Sequence, residues 1–144
     1  MHKTVAMVLV TVSLFAVGGA IIAWSVHKKQ GVQLQPSHVK EFTDENFQQD
    51  VVEASRKHPI LVDFYTDWCF PCKMMDPVLE EVAKDLNGKA VIGKLNTDKN
   101  LVARRFGITK IPAIFIIKDG EVKDSFYGVV PKAALVKALT DFGA

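Results

Sequence analysis

The chain contains 144 residues, a length typical of one domain. Hydrophobic residues make up 49% of it and charged residues 24%, which excludes wholesale disorder. Three of the 18 basic residues, Lys3, Lys28 and Lys29, flank an apolar N-terminus, which leaves 15 basic against 16 acidic residues in the rest of the chain. That balance provides no basic surface for nucleic acid.

Residues 4–26 form a run of 23 residues without a charge. As a helix this run would span about 34 Å, enough for a hydrocarbon core of about 30 Å. We therefore predict that residues 1–29 are a transmembrane anchor, with Trp24 near the interface. The alternative is a signal peptide cleaved near Gly18-Gly19-Ala20. Either interpretation places the rest of the chain outside the cytoplasm: anchored on the periplasmic side, or secreted or periplasmic after cleavage.

The next part of the chain predicts three strands and two helices. Residues 30–37 read as a linker, and 39–42 as a short strand. A helix from an N-cap at Thr43 to about residue 57 would carry a hydrophobic staple between Phe42 and Phe47. Residues 60–65 predict a strand buried on both faces, followed by a helix over 69–86 kinked at Pro77 and a strand over 90–95.

The C-terminal part predicts a short helix, a hairpin and a closing helix. The short helix covers residues 100–106 and is closed by Gly107. Strands over 113–118 and 121–127 are joined by Asp119-Gly120, a strong hairpin signal. The closing helix runs over 131–142. The resulting order, β-α-β-α-β-α-β-β-α, predicts an α/β fold with a mixed sheet and helices on both faces.

The motif Trp68-Cys69-Phe70-Pro71-Cys72 contains the only two cysteines of the sequence. A structural disulfide at this spacing closes too short a loop to stabilise the fold much. A zinc site needs about four ligands, and the histidines lie outside any ligand-like spacing. A redox dithiol needs only the two sulfur atoms, so the motif favours that function.

The position of the motif supports redox chemistry. A thiolate at a helix N-terminus is stabilised by unpaired N–H groups and by the helix dipole. We expect Cys69 to lie exposed at this terminus as the nucleophile. Cys72 follows one turn later on the same face, where it can resolve a mixed disulfide with Cys69.

From about residue 38 to residue 144 the sequence resembles the thioredoxin family. The resemblance rests on LVDFYTDWCFPCKMMDPVLEEVA, IGKLNTDKN, FGITKIPAIFIIKDGEV and the region of Gly128, in family order and spacing. It implies a thioredoxin fold for residues 38–144. It also implies a redox-active disulfide between Cys69 and Cys72, with no cofactor other than that pair.

The resemblance assigns roles that spacing alone does not. Asp63 matches the family's buried carboxylate, which has a raised pKa and exchanges a proton with the resolving thiol Cys72. Lys94 matches the lysine near that carboxylate. The residues that it implies for substrate binding are Trp68, Phe70, Pro71, Ile111, Pro112 and Gly128. Among them, Ile111-Pro112 matches the cis-proline loop.

Three positions depart from the family pattern. Phe70 replaces the usual glycine between the cysteines, Tyr65 stands where a tryptophan is usual, and Ala113 follows the cis-proline where a threonine is common. These departures bear on redox potential and partner choice rather than on fold or chemistry.

Together these features predict an extracytoplasmic thiol–disulfide oxidoreductase that reduces disulfides of exported proteins. Its electrons would come from a membrane protein that relays cytosolic thiol electrons, because no nucleotide-binding loop is present. Two alternatives stay open: an oxidase that donates disulfides, and a non-catalytic thioredoxin-fold module for binding or for carrying metal.

Overall fold

The computed structural model describes residues 37–144. The predicted anchor or signal segment, residues 1–29, lies outside the described residues, as does nearly all of the predicted linker. Within residues 37–144, no helix combines the length and the apolar character needed to cross a membrane.

The described chain is built around a five-stranded mixed sheet. Its strands are β1 (Lys40–Phe42), β2 (Ile60–Tyr65), β3 (Val91–Asn96), β4 (Ala113–Lys118) and β5 (Glu121–Tyr127), in the order β1-β3-β2-β4-β5. The strands β1, β3 and β2 are parallel, whereas β4 is antiparallel to both β2 and β5. The predicted combination of a parallel part and a terminal hairpin is confirmed.

The central strand β2 has apolar residues on both faces because both faces are covered. Leu61 belongs to a cluster with Met75 and Leu79 of helix α1 (Phe70–Leu86) and with residues of helix α2 (Lys132–Asp141). Val62 and Phe64 belong to a second cluster on the opposite face. Since side chains alternate along a strand, Asp63 lies on the same face as Leu61, toward α1.

The segment that covers the second face differs from the continuous helix predicted for residues 43–57. It consists of a π-helical turn, Gln48–Glu53, followed by a 3₁₀ turn, Ala54–Arg56. Thr43 makes no N-cap, and the carboxylate of Asp44 instead accepts hydrogen bonds from the backbone N–H groups of Leu101 and Val102, both at 2.8 Å. The Asp44 carboxylate therefore binds backbone donors of a segment more than fifty residues away in the sequence.

Other local predictions agree with the structure. The rings of Phe42 and Phe47 meet edge to face with centroids 6.5 Å apart, as the staple predicts. Residues Leu101–Phe106 form a 3₁₀ helix closed by Gly107 at φ 60°. Asp119 and Gly120 both have positive φ, 56° and 77°, as a tight hairpin turn requires.

Candidate active site

The cysteine pair lies where β2 passes into α1. Cys69 is the N-cap residue of the helix, in extended conformation (φ −82°, ψ 106°), and is disulfide-bonded to Cys72. The Sγ of Cys69 also accepts a hydrogen bond from the backbone N–H of Cys72 at 3.2 Å. In the reduced protein the same N–H and the helix dipole favour the thiolate form of Cys69.

The exposure predicted for Cys69 is wrong for this oxidised state, because only 5% of the residue is accessible. Its sulfur is bonded to Cys72, which is itself buried at 1%. The exposed surface of the motif comes instead from Trp68 and Phe70, each 73% exposed, and from Pro71.

The indole of Trp68 is held by a residue that the sequence analysis missed. Its Nε1–H donates a hydrogen bond to Oδ2 of Asp98, at 2.9 Å, from the turn that follows β3. Beside it, Lys99 pairs with Asp67 at 2.7 Å. Asp98 belongs to a stretch of the family motif, but no local pattern in the sequence indicates a partner for the indole.

The cis-proline loop is present as predicted, with a cis peptide bond between Ile111 and Pro112. The backbone N–H of Gly128 donates to the carbonyl oxygen of Pro112 at 2.8 Å, and Gly128 has φ 83°, a conformation that favours glycine. Trp68 and Ile111 line one groove of about 440 Å³. The structure therefore brings these two predicted residues together, whereas Phe70 and Pro71 lie at the start of α1 and do not line this groove.

Asp63 is fully buried on the α1 side of β2. Neither of its carboxylate oxygens has a hydrogen-bond partner among residues 37–144. Burial raises the pKa of Asp63 to about 7; the charge of Lys94 opposes this rise and the charge of Asp76 adds to it. A carboxyl with a pKa near neutrality can both accept and release a proton under ordinary conditions.

Lys94 lies beside Asp63 as predicted, but its ammonium group is bonded elsewhere. The two residues are register partners on the parallel strands β2 and β3. In the part of the chain that the structure describes, Lys94 Nζ binds Oδ1 of Asp76, and no ion pair joins it to Asp63. Nζ also lies 4.1 Å from the centroid of the Tyr65 ring.

Asp76 is the second residue that the sequence analysis missed. It follows Cys72 by four positions on α1, so the two residues share one helix face. That spacing is visible in the sequence, but the pairing with Lys94 depends on how α1 packs on β3. Tyr65, which stands where the family usually has a tryptophan, belongs to the same group of contacts. Its hydroxyl donates a hydrogen bond to the Glu41 carboxylate at 3.0 Å. Burial raises the pKa of Tyr65 to about 12.

A metal site does not emerge from these side chains. Among residues 37–144, no group of three or more His, Cys, Asp or Glu residues is arranged to hold a metal ion.

Comparison with known proteins identifies the family. The thioredoxin family model matches residues 38–141. The chain belongs to the thioredoxin family. It is 43% identical over 102 residues to a thioredoxin of Chlorobaculum thiosulfatiphilum, a match covering 70% of this chain and 93% of the relative. It is 45% identical to thioredoxin 2 of Chlorobaculum tepidum, covering 70% and 92%. It is also 42% identical to a thioredoxin of Pseudomonas aeruginosa, covering 71% and 94%.

Family membership and the bonded cysteine pair together define the chemistry. The chain is a thioredoxin-like protein-disulfide reductase that acts on disulfides of proteins. Its redox group is the dithiol or disulfide of Cys69 and Cys72, as in thioredoxins generally. The fold prediction, a thioredoxin fold with a mixed sheet flanked by helices, is confirmed.

Proposed function

We propose that this thioredoxin is tethered to a membrane and reduces disulfides of exported proteins on the extracytoplasmic side. The observation that carries the proposal is the order of two segments. The uncharged run over residues 4–26 precedes the segment matched to thioredoxin, residues 38–141, and residues 27–37 lie between them. Such a run is long enough for a membrane anchor, and an oxidising compartment supplies protein disulfides as substrates.

The reaction begins with the reduced pair. The Cys69 thiolate attacks one sulfur of a substrate disulfide, so that a Cys69–substrate bond forms while the substrate S–S bond breaks. The departing substrate thiolate takes a proton from water. The groove lined by Trp68, which precedes Cys69 in the sequence, and by Ile111 would hold an extended substrate segment, as in β-augmentation. Phe70 adds a large apolar side chain to the docking surface.

The second step requires Cys72 to lose its proton. The Asp63 carboxylate would accept it, since Asp63 is buried, lacks a hydrogen-bond partner within residues 37–144 and has a pKa near 7. The Cys72 thiolate then attacks Cys69 Sγ, which breaks the mixed disulfide and releases the second substrate sulfur as a thiolate, and this thiolate takes a proton from water. Two electrons pass to the substrate, and the Cys69–Cys72 disulfide remains. We assign Lys94 to the charge balance of this proton transfer.

The oxidised pair must be reduced again for the next turnover. A donor dithiol outside the cytoplasm is needed, and a membrane protein that relays cytosolic thiol electrons would meet this need. The direction of exchange depends on the redox potential of the pair. A potential near the thioredoxin value of about −270 mV would support the reductase, whereas a value near about −120 mV would make the protein a disulfide donor. Equilibration against glutathione or dithiothreitol buffers, read by thiol alkylation and mass, measures this potential.

Trapping tests the mechanism and the location together. A full-length Cys72→Ser variant cannot resolve its mixed disulfides, so it should accumulate adducts with exported proteins when cells are quenched with a thiol-blocking reagent. The matched Cys69→Ser variant lacks the attacking sulfur and should accumulate none. Adducts formed only with cytosolic proteins would overturn the proposed location. The absence of any adduct on Cys72→Ser would overturn the proposed mechanism.

A further inference from the structure

The ammonium group of Lys94 binds Asp76 and not Asp63, its register partner on the neighbouring strand. Lys94 is the register partner of Asp63, and it lies on the α1 side of β3, as Ile92 does. In the residues that the structure describes, its Nζ is bonded to Asp76 and lies over the Tyr65 ring, while the buried Asp63 carboxylate has no partner. The lysine whose charge acts on the unpaired acid is thus bonded to another carboxylate.

Asp76 is placed to compete for that cation. It is four residues beyond Cys72 on α1, and its side chain is 48% exposed, against 17% for Lys94. Both side chains line a groove of about 460 Å³, together with Glu41 and Glu80. Asp76 therefore remains solvated while it holds Lys94, whereas Asp63 is removed from water.

We propose that Asp76 is a positioning residue: it holds the Lys94 ammonium in the outer groove, keeps it from pairing with Asp63, and so leaves Asp63 free to exchange a proton with Cys72. The part of this inference that concerns Cys72 rests on the proposed function. The arrangement of Asp76, Lys94 and Asp63 rests on the contacts alone.

The groups that face Asp63 are few. Helix α1 contributes Asp76, which lies four residues beyond Cys72, and β3 contributes Lys94. On the other side of β2, the register partner of Asp63 is Ile114 of β4, which carries no charge. Apart from burial, which has the largest effect on Asp63, its ionisation therefore depends on one lysine and one competing carboxylate among the described residues.

Neutralising Asp76 should change the titration of Asp63 in a definite direction. Asp76→Asn removes a negative charge that disfavours ionisation of Asp63, and it also releases Lys94 to approach Asp63. Both effects lower the pKa of Asp63. A cation within about 4–6 Å of a carboxylate lowers its pKa by about 1–3 units, so we expect a fall of about one unit or more.

The direct measurement is a pH titration of the Asp63 carboxyl carbon by NMR, in the oxidised full-length protein. The matched control is Asp85→Asn, which removes another half-exposed, lysine-paired carboxylate from the same helix. Asp85→Asn should leave the pKa of Asp63 unchanged. The same pair of measurements is repeated in a Lys94→Met background, where only the loss of negative charge at Asp76 can act.

The two backgrounds separate positioning from simple charge. The proposal predicts a larger fall in the pKa of Asp63 on Asp76→Asn when Lys94 is present than when it is replaced by methionine. Equal falls in the two backgrounds would overturn it, as would an unchanged or raised pKa in the presence of Lys94. Asp76→Ala repeats the test without an amide that could bind Lys94.

A kinetic measurement distinguishes this inference from the proposed role of Asp63. If Asp63 accepts the Cys72 proton, the pH dependence of mixed-disulfide resolution should move to lower pH in Asp76→Asn, by as much as the titration of Asp63 moves. A shifted titration with an unmoved kinetic profile would support the positioning by Asp76 and overturn the role of Asp63 in proton transfer.

Discussion

Replacement of Asp63 by asparagine should remove a pH-dependent loss of stability. In the folded, oxidised protein the pKa of Asp63 is about 7, against an ordinary value of 3.8 in an unfolded chain. Below about pH 4 the carboxyl is protonated in both states and does not affect stability. As the pH rises, the unfolded state loses the proton first, so stability falls until the folded state also ionises near pH 7.

The size of this effect follows from the separation of the two pKa values. Each pKa unit corresponds to about 1.4 kcal/mol, so the free energy of unfolding should fall by about 4 kcal/mol between about pH 4 and about pH 8. Asp63→Asn lacks this component. The asparagine amide would be buried without partners at a cost of about 1–3 kcal/mol, but that cost does not vary with pH.

The assay is guanidinium unfolding of the oxidised protein, followed by circular dichroism at several pH values. The wild type and Asp63→Asn are compared under identical solution conditions, so the difference between their curves isolates Asp63. The free energy of unfolding of Asp63→Asn minus that of the wild type should increase from about pH 4 to about pH 7 and then stay constant. Two parallel curves would refute the reasoning, because they would mean that Asp63 titrates alike in both states.

Three further predictions concern the fold around the site. Gly93→Ala should destabilise the protein by about 1–3 kcal/mol, because a Cβ there would approach the buried Phe42 ring to 2.3 Å. Ser55→Ala should cost about 1–3 kcal/mol, because the buried Ser55 hydroxyl accepts the N–H of Gly120 at 2.8 Å and holds the hairpin turn. Asp44→Ala should lower the denaturation midpoint. The backbone N–H groups that donate hydrogen bonds to the Asp44 carboxylate hold its pKa below the ordinary value, so the difference in midpoint from wild type should shrink as the pH falls.

Each of these predictions has its own check in equilibrium unfolding. Adding Phe42→Leu to Gly93→Ala removes the ring, so the pair should be less destabilised than the sum of the single variants. Full additivity would contradict the clash. Ser125→Ala alters an exposed serine and should leave the free energy of unfolding nearly unchanged. If Ser55→Ala changed that free energy no more than Ser125→Ala does, the role of Ser55 in the turn would be contradicted. A difference for Asp44→Ala that grows as the pH falls would contradict the sign of its pKa change.

Local chemistry explains why much of this protein could be read from its sequence. The cysteine pair follows a strand and opens a helix, and that order alone places Cys69 at the helix N-terminus. The hairpin at Asp119-Gly120 depends on the conformations that those two residues allow, and the structure has it where predicted. The apolar run of β2 predicts cover on both faces, which the two clusters provide.

Other features depend on which distant residues meet. Thr43 has the sequence of an N-cap, yet the neighbouring Asp44 bonds to Leu101 and Val102, and the helix expected there becomes a π-helical turn and a 3₁₀ turn. Cys69, expected to be exposed, is only 5% accessible and is bonded to the buried Cys72. Neither the helix type near Asp44 nor the burial of Cys69 can be predicted from the neighbouring residues in the sequence, because both depend on residues that the fold brings into contact.

The charge balance at Asp63 shows this division most clearly. The sequence determined that an acid lies within a buried strand and that a lysine lies in a strand nearby. Only the packing of α1 on the sheet decided that Lys94 binds Asp76 rather than Asp63. The physical reason is that a buried carboxylate ionises according to its desolvation and to the charges within a few ångströms. Both of these are fixed by the assembled elements and not by their separate sequences.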